Sequence, residues 1–371
     1  MSAFSDPYRI DDVSALLSPS LVVFAEIARA NIRAMVDLAG GPDRLRPHAK
    51  THKMPAVIRL LGEFGISRHK CATIAEAEMI AGAGGTDVLL AYPLVGPNVG
   101  RFARLIDGFP GTTFRAVVDT EDGARRLAEV GSPDRPISTL VDVDLGMGRT
   151  GIDPSAADVL CAAVMELPSL RLDGLHGYDG HVREPGIEAR RVEAGPGLRG
   201  LLALRDRLQS KGIEVERLVL GGTPSFPVHA GLGLPGVELS PGTGVLHDAG
   251  YASKFPDLPF TPAALLLTRV VSRPRPGRLC LDLGHKAVAA DPVGARLSLL
   301  GVEGATLGGQ SEEHLVVDTP FAERYPPGTP LLAVPTHVCP TCALHAWAYV
   351  VDGGRVVDRW GVAARDRLLT I

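Results

Sequence analysis

Short apolar runs alternate with amphipathic stretches along the first two thirds of the chain. The runs are rich in aliphatic residues, which favours buried strands, whereas the stretches repeat their apolar positions with the period of a helix. This alternation predicts a (β/α)8 TIM barrel over residues 20–245, with an open doubly wound sheet as the alternative. The predicted strands are Arg46 to Lys50, His69 to Thr73, Asp87 to Pro93, Thr113 to Asp119, Ile137 to Asp144, Leu172 to Tyr178, Val215 to Thr223 and Val237 to Thr243. The clearest helical stretches are Thr73 to Ala81, Glu121 to Val130, Ser155 to Met165 and Gly197 to Gln209.

The pattern changes after residue 245. Short strand-like runs broken by Pro and Gly replace the helical periodicity, which predicts an all-β domain over residues 246–371 with residues 1–19 packed on it. The runs are Ala263 to Ser272, Arg278 to Leu283, Leu315 to Val317, Leu331 to Val334 and Ala346 to Val351.

The charge balance argues against a polyanionic partner. The 371 residues include 38 Lys and Arg against 42 Asp and Glu, so small molecules are expected rather than nucleic acid or a membrane surface. No apolar run is long enough to span a bilayer, and the N-terminal sequence lacks the features of a signal peptide. Five scattered cysteines do not suggest a disulfide framework. A cytoplasmic protein with reduced or metal-binding thiols is expected.

A basic cluster, R-P-H-A-K-T-H-K, ends the first predicted strand. Lys50 stands at the strand end between imidazoles, one of them His48. A lysine that is buried or crowded by other cations can lose its proton near neutral pH and form a Schiff base with a carbonyl group. This is how pyridoxal 5′-phosphate (PLP) is held by enzymes. The alternative interpretation is a solvated basic loop.

Other reactive residues follow the C-terminal ends of predicted strands, where TIM barrels build their active sites. Two glycine-bearing loops, Gly221 to Phe226 and Ser240 to Gly244, follow the last two strands. There, backbone N–H groups and threonine hydroxyls can bind a phosphate. Arg149 follows the fifth strand and can bind a phenolate or a carboxylate, although an ordinary salt bridge is an equal alternative.

The sixth predicted strand ends in L-H-G-Y-D-G-H, which supplies His176, Tyr178 and His181. An imidazole is the natural general base near neutral pH. We expect His181, further out on the loop, to be that base and His176 to have a structural role.

A histidine and a cysteine lie two residues apart in the motif T-H-V-C-P-T-C. On an extended segment, His337 and Cys339 would point to the same side as two ligands for Zn²⁺. Two protein ligands suit an open catalytic site rather than a structural one. A redox pair of Cys339 and Cys342, or buried structural thiols, are the alternatives.

Together these motifs resemble the D-threonine aldolase and D-serine dehydratase group of fold-type III, alanine racemase-like PLP enzymes. The resemblance runs from about residue 20 to the C-terminus and rests on R-P-H-A-K-T-H-K, R-T-G, G-G-T-P-S-F, P-G-T, S-E-E-H and H-V-C-P-T. It implies that Lys50 is the Schiff-base lysine, that His181 is the catalytic histidine, and that His337 and Cys339 bind the metal. The expected cofactor-binding residues are Lys50, His48, Arg149, Tyr178, Gly222, Thr223, Gly242 and Thr243.

The resemblance also implies a lyase that acts on D-3-hydroxy amino acids. The His-x-Cys pair favours the zinc-dependent D-serine or D-3-hydroxyaspartate dehydratases, whereas the position of His181 favours D-threonine aldolases, which we prefer. The expected metal is zinc, with manganese or magnesium as alternatives, and the expected assembly is a head-to-tail homodimer. Tyr178 or His176 could face the pyridine nitrogen. The metal pair argues against an amino-acid racemase, and the second domain argues against a non-catalytic PLP carrier.

Overall fold

A computed structural model describes residues 4–368 and 370 of the chain. The strands are β1 Ser20–Phe24, β2 Arg68–Cys71, β3 Asp87–Leu90, β4 Thr113–Val118, β5 Ile137–Asp144, β6 Leu170–Tyr178, β7 Arg217–Leu220, β8 Val237–Leu239, β9 Ala264–Arg275, β10 Arg278–Leu281, β11 Leu297–Leu300, β12 Thr306–Gln310, β13 Leu315–Asp318, β14 Pro330–Pro335, β15 Trp347–Asp352 and β16 Arg355–Gly361. The α-helices are α1 Ala25–Ala39, α2 Pro55–Glu63, α3 Ile74–Gly82, α4 Asn98–Gly108, α5 Glu121–Ala128, α6 Ala157–Met165, α7 Ile187–Ser210, α8 Phe226–Ala230, α9 Ala249–Lys254 and α10 Val338–Leu344. Short 3-10 turns lie at Pro42–Arg44, Thr243–Val245, Ala322–Arg324 and Ala363–Asp366.

The elements divide into two compact units. The first unit contains Met35–Lys50, Pro55–Gly242, 366–368 and 370, and the second contains 4–34, Thr51–Met54 and Thr243–Arg365.

The first unit is a curled parallel β/α half-barrel. Its seven strands pair in chain order from β2 to β8, and every pairing is parallel. Alternate side chains of these strands point inward, and Leu89, Val117, Leu140 and Val219 form a buried cluster there. Threonine caps begin two of the connecting helices, because Thr73 and Thr120 each accept a backbone N–H from the residue three positions on.

The first predicted strand, Arg46 to Lys50, does not form a continuous ladder. The segment makes isolated parallel bridges instead, from Leu45 to Leu239 of β8 and from His48 to Lys70 of β2. Pro47 explains the interruption, because proline has no N–H to donate, although its carbonyl accepts from the Lys70 N–H at 2.9 Å. Seven of the eight predicted strands are therefore present as strands.

The basic cluster is buried rather than solvated, and its first residue explains why. Arg46 is fully buried and bonds the carboxylates of Glu238 (2.5 Å) and Asp87 (2.8 Å). These bonds pair the buried charge with two carboxylates and fix the segment that leads to Lys50. The pKa of Arg46 is accordingly raised, because its two carboxylate partners outweigh the effect of burial.

The second unit contains a nine-stranded sheet. Its main path runs β12, β13, β10, β9, β1, β15 and β16, while β14 also pairs with β9 and β11 with β14. All pairings are antiparallel except β1 with β15. Alternate residues of four strands share one buried core: Val22, Phe24, Leu265, Leu267, Leu332, Val334, Tyr349 and Val351.

The strand β1 lies in this sheet, although the sequence placed residues from 20 onward in the barrel domain. Its five residues are all buried, since it is covered on both edges by β9 and β15. A strand that is buried on both faces has no polar alternation to indicate which sheet it joins. The prediction also missed β11, β12 and β16. The domain boundaries remain a prediction.

Within residues 4–368 and 370, the helices lack the combination of length and apolar character that a bilayer span requires.

Candidate active site

Lys50 lies at the end of the bridging segment, and two hydrogen bonds fix the backbone that leads to it. Its N–H donates to Nδ1 of His48 at 3.3 Å, and the preceding Ala49 N–H donates to the Lys70 carbonyl at 2.8 Å. The Lys50 Nζ lies 5.4 Å from the ring centroid of Tyr178. His48 thus acts on the Lys50 backbone, which positions the amine.

Three cations gather on the ring of Tyr178, at the C-terminal end of β6. Besides Lys50, the Lys70 Nζ lies 5.7 Å and the Arg149 guanidinium carbon 5.1 Å from the ring centroid. Gly222 permits this arrangement, because a Cβ there would lie 2.9 Å from Cε2 of Tyr178. Aromatic faces attract cations. The Tyr178 ring therefore offsets part of the repulsion among the three basic groups around it.

The loop that carries Arg149 is ordered by an aspartate at the end of β5. The Asp144 carboxylate accepts the N–H groups of Gly146 (2.9 Å) and Gly148 (3.1 Å). Both glycines have positive φ values, 113° and 63°, a region that glycine adopts without strain. The G-M-G sequence therefore forms the tight turn that brings Arg149 to Tyr178.

The two glycine-bearing loops meet through a hydrogen bond. The Gly242 N–H donates to Oγ1 of Thr223 at 3.0 Å. The Gly222 N–H donates to Oγ of Ser225 at 3.2 Å, and that hydroxyl donates to Asp179 at 2.6 Å. Asp179 also bonds Nε2 of His229 at 2.7 Å, so a buried carboxylate anchors the first loop.

The residues of this unit fit PLP. In the second loop, Oγ of Ser240 is buried and has no hydrogen-bond partner within the described part of the chain. A bound phosphate would supply the missing acceptor. Gly222 is partly exposed, and glycine-bearing loops can bind phosphate through N–H and hydroxyl groups. Amine, aromatic ring and guanidinium are supplied by Lys50, Tyr178 and Arg149.

His181 is half-buried, and its ring packs against the turn after β5. A Cβ at Gly146 would lie 3.3 Å from Nε2 of His181. The Nδ1 atom of His181 is buried without a hydrogen-bond partner among residues 4–368 and 370. The ring is therefore held by packing and not by an orienting carboxylate.

The second unit brings His337 and Cys339 together, as predicted, although not on an extended segment. His337 is extended, but Cys339 lies in the first turn of α10. The hydrogen bond between the two side chains, together with the carboxylate of Asp291, raises the pKa of His337 to about 9. Thr243, predicted to bind phosphate, has its hydroxyl 3.7 Å from Sγ of Cys339, and the Thr51 hydroxyl lies at 3.1 Å.

This pair suits a divalent metal by its donor chemistry. Imidazole and thiolate are preferred zinc ligands, and Nδ1 of His337 bonds Oδ2 of Asp291 at 2.5 Å, the carboxylate–histidine arrangement typical of metal-binding histidines. Asp248 fixes the turn by accepting the Val338 N–H at 3.0 Å. Clusters of three or more His, Cys, Asp or Glu with metal-binding geometry are absent from the described residues. A metal here would have two side-chain ligands.

The sequence reasoning missed three groups of the first unit: Lys70, Asp142 and Asp179. Nδ1 of His176 bonds Oδ1 of Asp142 at 2.6 Å, and Nε2 of His176 lies 3.5 Å from Nζ of Lys70. Asp179 directly follows a predicted strand, whereas Lys70 and Asp142 lie inside predicted strands. A charged side chain within or next to a predicted strand was the available signal.

Comparisons with known proteins find relatives for both parts of the chain. The family model of the alanine racemase N-terminal domain matches residues 26–245, and that of the putative serine dehydratase domain matches residues 263–351. A D-threonine aldolase of Arthrobacter sp is 31% identical over 96% of this chain and 94% of its own length. A D-threo-3-hydroxyaspartate dehydratase of Delftia sp. (strain HT23) is 26% identical over 90% of this chain and 93% of its own. The crystal structure of D-threonine aldolase from Filomicrobium marinum matches with a TM-score of 0.87 at 31% identity, covering 95% of this chain and 97% of that one.

Proposed function

Because the chain belongs to the alanine racemase-like, fold-type III family of PLP enzymes and is a PLP-dependent lyase, we propose that it cleaves D-3-hydroxy amino acids to glycine and an aldehyde. The first unit supplies the residues that would hold the cofactor. Lys50 provides the amine for covalent attachment, Arg149 and Tyr178 provide a charge and an aromatic face, and the loops at Gly222, Thr223, Gly242 and Ser240 provide phosphate donors. When bound, PLP supplies an electron sink for the pair left on Cα.

The observation that carries the aldolase proposal is the placement of His181. Cleavage begins when a base removes the proton of the 3-hydroxyl group, because the oxygen then forms the new carbonyl as the Cα–Cβ bond breaks. His181 is an imidazole distinct from the Lys50 amine, and its ring is held against Gly146. The chain therefore has a base for the hydroxyl separate from the lysine that serves the cofactor.

The second unit supplies the residues for a divalent metal, zinc by donor preference. His337 and Cys339 would bind it, with Asp291 orienting the imidazole. Such an ion supplies Lewis acidity toward a hydroxyl oxygen, which lowers the cost of removing its proton.

Product analysis tests the proposed reaction. The protein, supplied with PLP and Zn²⁺ or Mn²⁺, should convert D-threonine to glycine and acetaldehyde and leave L-threonine unchanged. D-Serine and D-threo-3-hydroxyaspartate serve as further substrates. A keto acid and ammonia as the products would contradict the aldolase and establish a dehydratase.

The dehydratase is the second candidate, and a specific observation favours it. The metal pair is His-x-Cys, which is the pattern we associate with zinc dehydratases. In that reaction Lys50 would take the Cα proton, and a metal held by His337 and Cys339 would supply Lewis acidity at the leaving hydroxyl group. His181 would then have no proton to take from substrate.

Replacing Cys339 by alanine should abolish metal-dependent turnover, because the thiolate is one of only two side-chain ligands proposed. PLP loading should persist, since the proposed cofactor residues belong to the first unit. Turnover after chelation and metal titration, together with the absorbance of bound PLP, measure the two effects. Cys280→Ala, which removes a partly buried cysteine of β10, is the matched control and should behave as the unmodified protein. Undiminished turnover of Cys339→Ala after exhaustive chelation would refute the metal site.

A further inference from the structure

A second lysine of the first unit has no role in the function proposed so far. Lys70 is a buried residue of β2, only 2% exposed, and its amine lies over the same Tyr178 ring as that of Lys50. Burying an ammonium group is costly unless something compensates its charge. Its hydrogen-bond partner is a histidine and not a carboxylate.

That histidine links Lys70 to a carboxylate. His176 bonds Asp142 through Nδ1 (2.6 Å) and Lys70 through Nε2 (3.5 Å). Burial lowers the pKa of His176 despite the opposing effect of Asp142, so the ring is neutral. A neutral ring with Nδ1–H donating to Asp142 leaves the Nε2 lone pair to accept from the Lys70 amine.

The surroundings let Lys70 exist in both protonation states. Burial, as the largest effect, together with the charge of Lys50, lowers the pKa of Lys70 to about 7. Asp142 and Asp179 act in the opposite direction, and Arg46 adds to the lowering. Near neutral pH, Lys70 can therefore accept a proton, and the Asp142–His176 pair stabilises the ammonium that results.

We propose that Lys70 accepts the proton that Lys50 loses when the Lys50 amine bonds to the aldehyde carbon of PLP, and that His176 and Asp142 position Lys70 for this transfer. The inference rests on the proposed PLP chemistry and adds a proton acceptor to it. Lys50 as an ammonium cannot attack a carbonyl, so its proton must leave first.

The step balances without another reactant. Lys50 transfers one proton to Nζ of Lys70, and its free electron pair then forms the carbon–nitrogen bond. A second proton moves from that nitrogen to the former carbonyl oxygen. Lys70 returns its proton to the departing hydroxyl, which leaves as water, and the product is a protonated Schiff base on Lys50.

The rate of PLP loading onto the full chain freed of cofactor measures this role without catalytic turnover. Lys70→Met keeps the length and apolar part of the side chain but cannot accept a proton. Schiff-base absorbance should appear at least about 10²-fold more slowly in this variant at pH 7, the usual effect of losing a positioned base. In the unmodified protein the loading rate should rise as Lys70 deprotonates near pH 7, and Lys70→Met should lack that rise.

Three comparisons separate proton transfer from a structural role. Lys70→Arg keeps the charge but cannot accept a proton, so it should load as slowly as Lys70→Met. Lys254→Met removes an exposed lysine of α9 and should load normally. Pyridoxine 5′-phosphate lacks the aldehyde, so its affinity should change less than about threefold in Lys70→Met, since no proton transfer is involved.

Each possible result supports or contradicts the proton-accepting role of Lys70. Normal loading by Lys70→Met, with the rise near pH 7 retained, would overturn the role of Lys70 and leave the proposed function standing. An equal loss of loading rate and pyridoxine phosphate affinity would make Lys70 a binding residue instead. If Lys70→Met does not fold, Asp142→Asn is the substitute and should also slow loading without weakening the analogue. If the unmodified protein forms no Schiff base with PLP, the proposed PLP chemistry itself fails.

Discussion

Replacing Lys50 by methionine should abolish covalent attachment of PLP and with it all lyase activity. Lys50 lies at the end of the bridging segment, its N–H is held by His48, and its amine is over Tyr178. No other group of this site can replace the covalent bond without moving, because Lys70 is bonded to His176. Borohydride reduction of the PLP-loaded protein, followed by peptide mapping, should find the pyridoxyl group on Lys50.

Lys53→Met provides the matched control for that experiment. It removes a lysine from the same basic cluster, and the label should remain on Lys50 with the same stoichiometry. A pyridoxyl group on Lys53 or Lys70 of the unmodified protein would contradict the assignment. We expect full pyridoxyl labelling of Lys53→Met and no labelling of Lys50→Met.

The parallel sheet of the first unit could be predicted because its strands are short apolar runs separated by stretches with helical periodicity. The first strand was less predictable, since Pro47 removes a donor and reduces the ladder to bridges at Leu45 and His48. The strand β1 shows a different limit. Its residues are buried on both faces, so their pattern carries no information about which sheet they join.

For the site residues, contacts between residues near in sequence could be predicted, whereas contacts between different strands could not. Motifs such as G-M-G-R and H-V-C could be recognised because residues this close in sequence remain neighbours whether the backbone is extended or helical. The bonds of Asp142 to His176 and of His176 to Lys70 could not, since they connect different strands of the sheet. A buried lysine in a strand looks like any other lysine until its neighbours across the sheet are known.

His181→Ala should suppress glycine formation from D-threonine by about 10² to 10⁴, because retro-aldol cleavage needs a base at the 3-hydroxyl group. Exchange of the Cα hydrogen with solvent deuterium should be much less affected, since Lys50 is the natural base at Cα. The ratio of the two rates in one variant is therefore the measurement. It is independent of how much active protein each preparation contains.

Gly146→Ala offers a second way to disturb the same residue. Its new Cβ would lie 3.3 Å from Nε2 of His181, and alanine is strained at a φ of 113°. Displacement of the imidazole should again lower glycine formation more than Cα exchange. If His181→Ala instead loses both reactions equally, His181 only positions the substrate or the cofactor. The chain would then have no separate base for the 3-hydroxyl group. Dehydration, in which Lys50 removes the Cα proton, would then be the better-supported reaction.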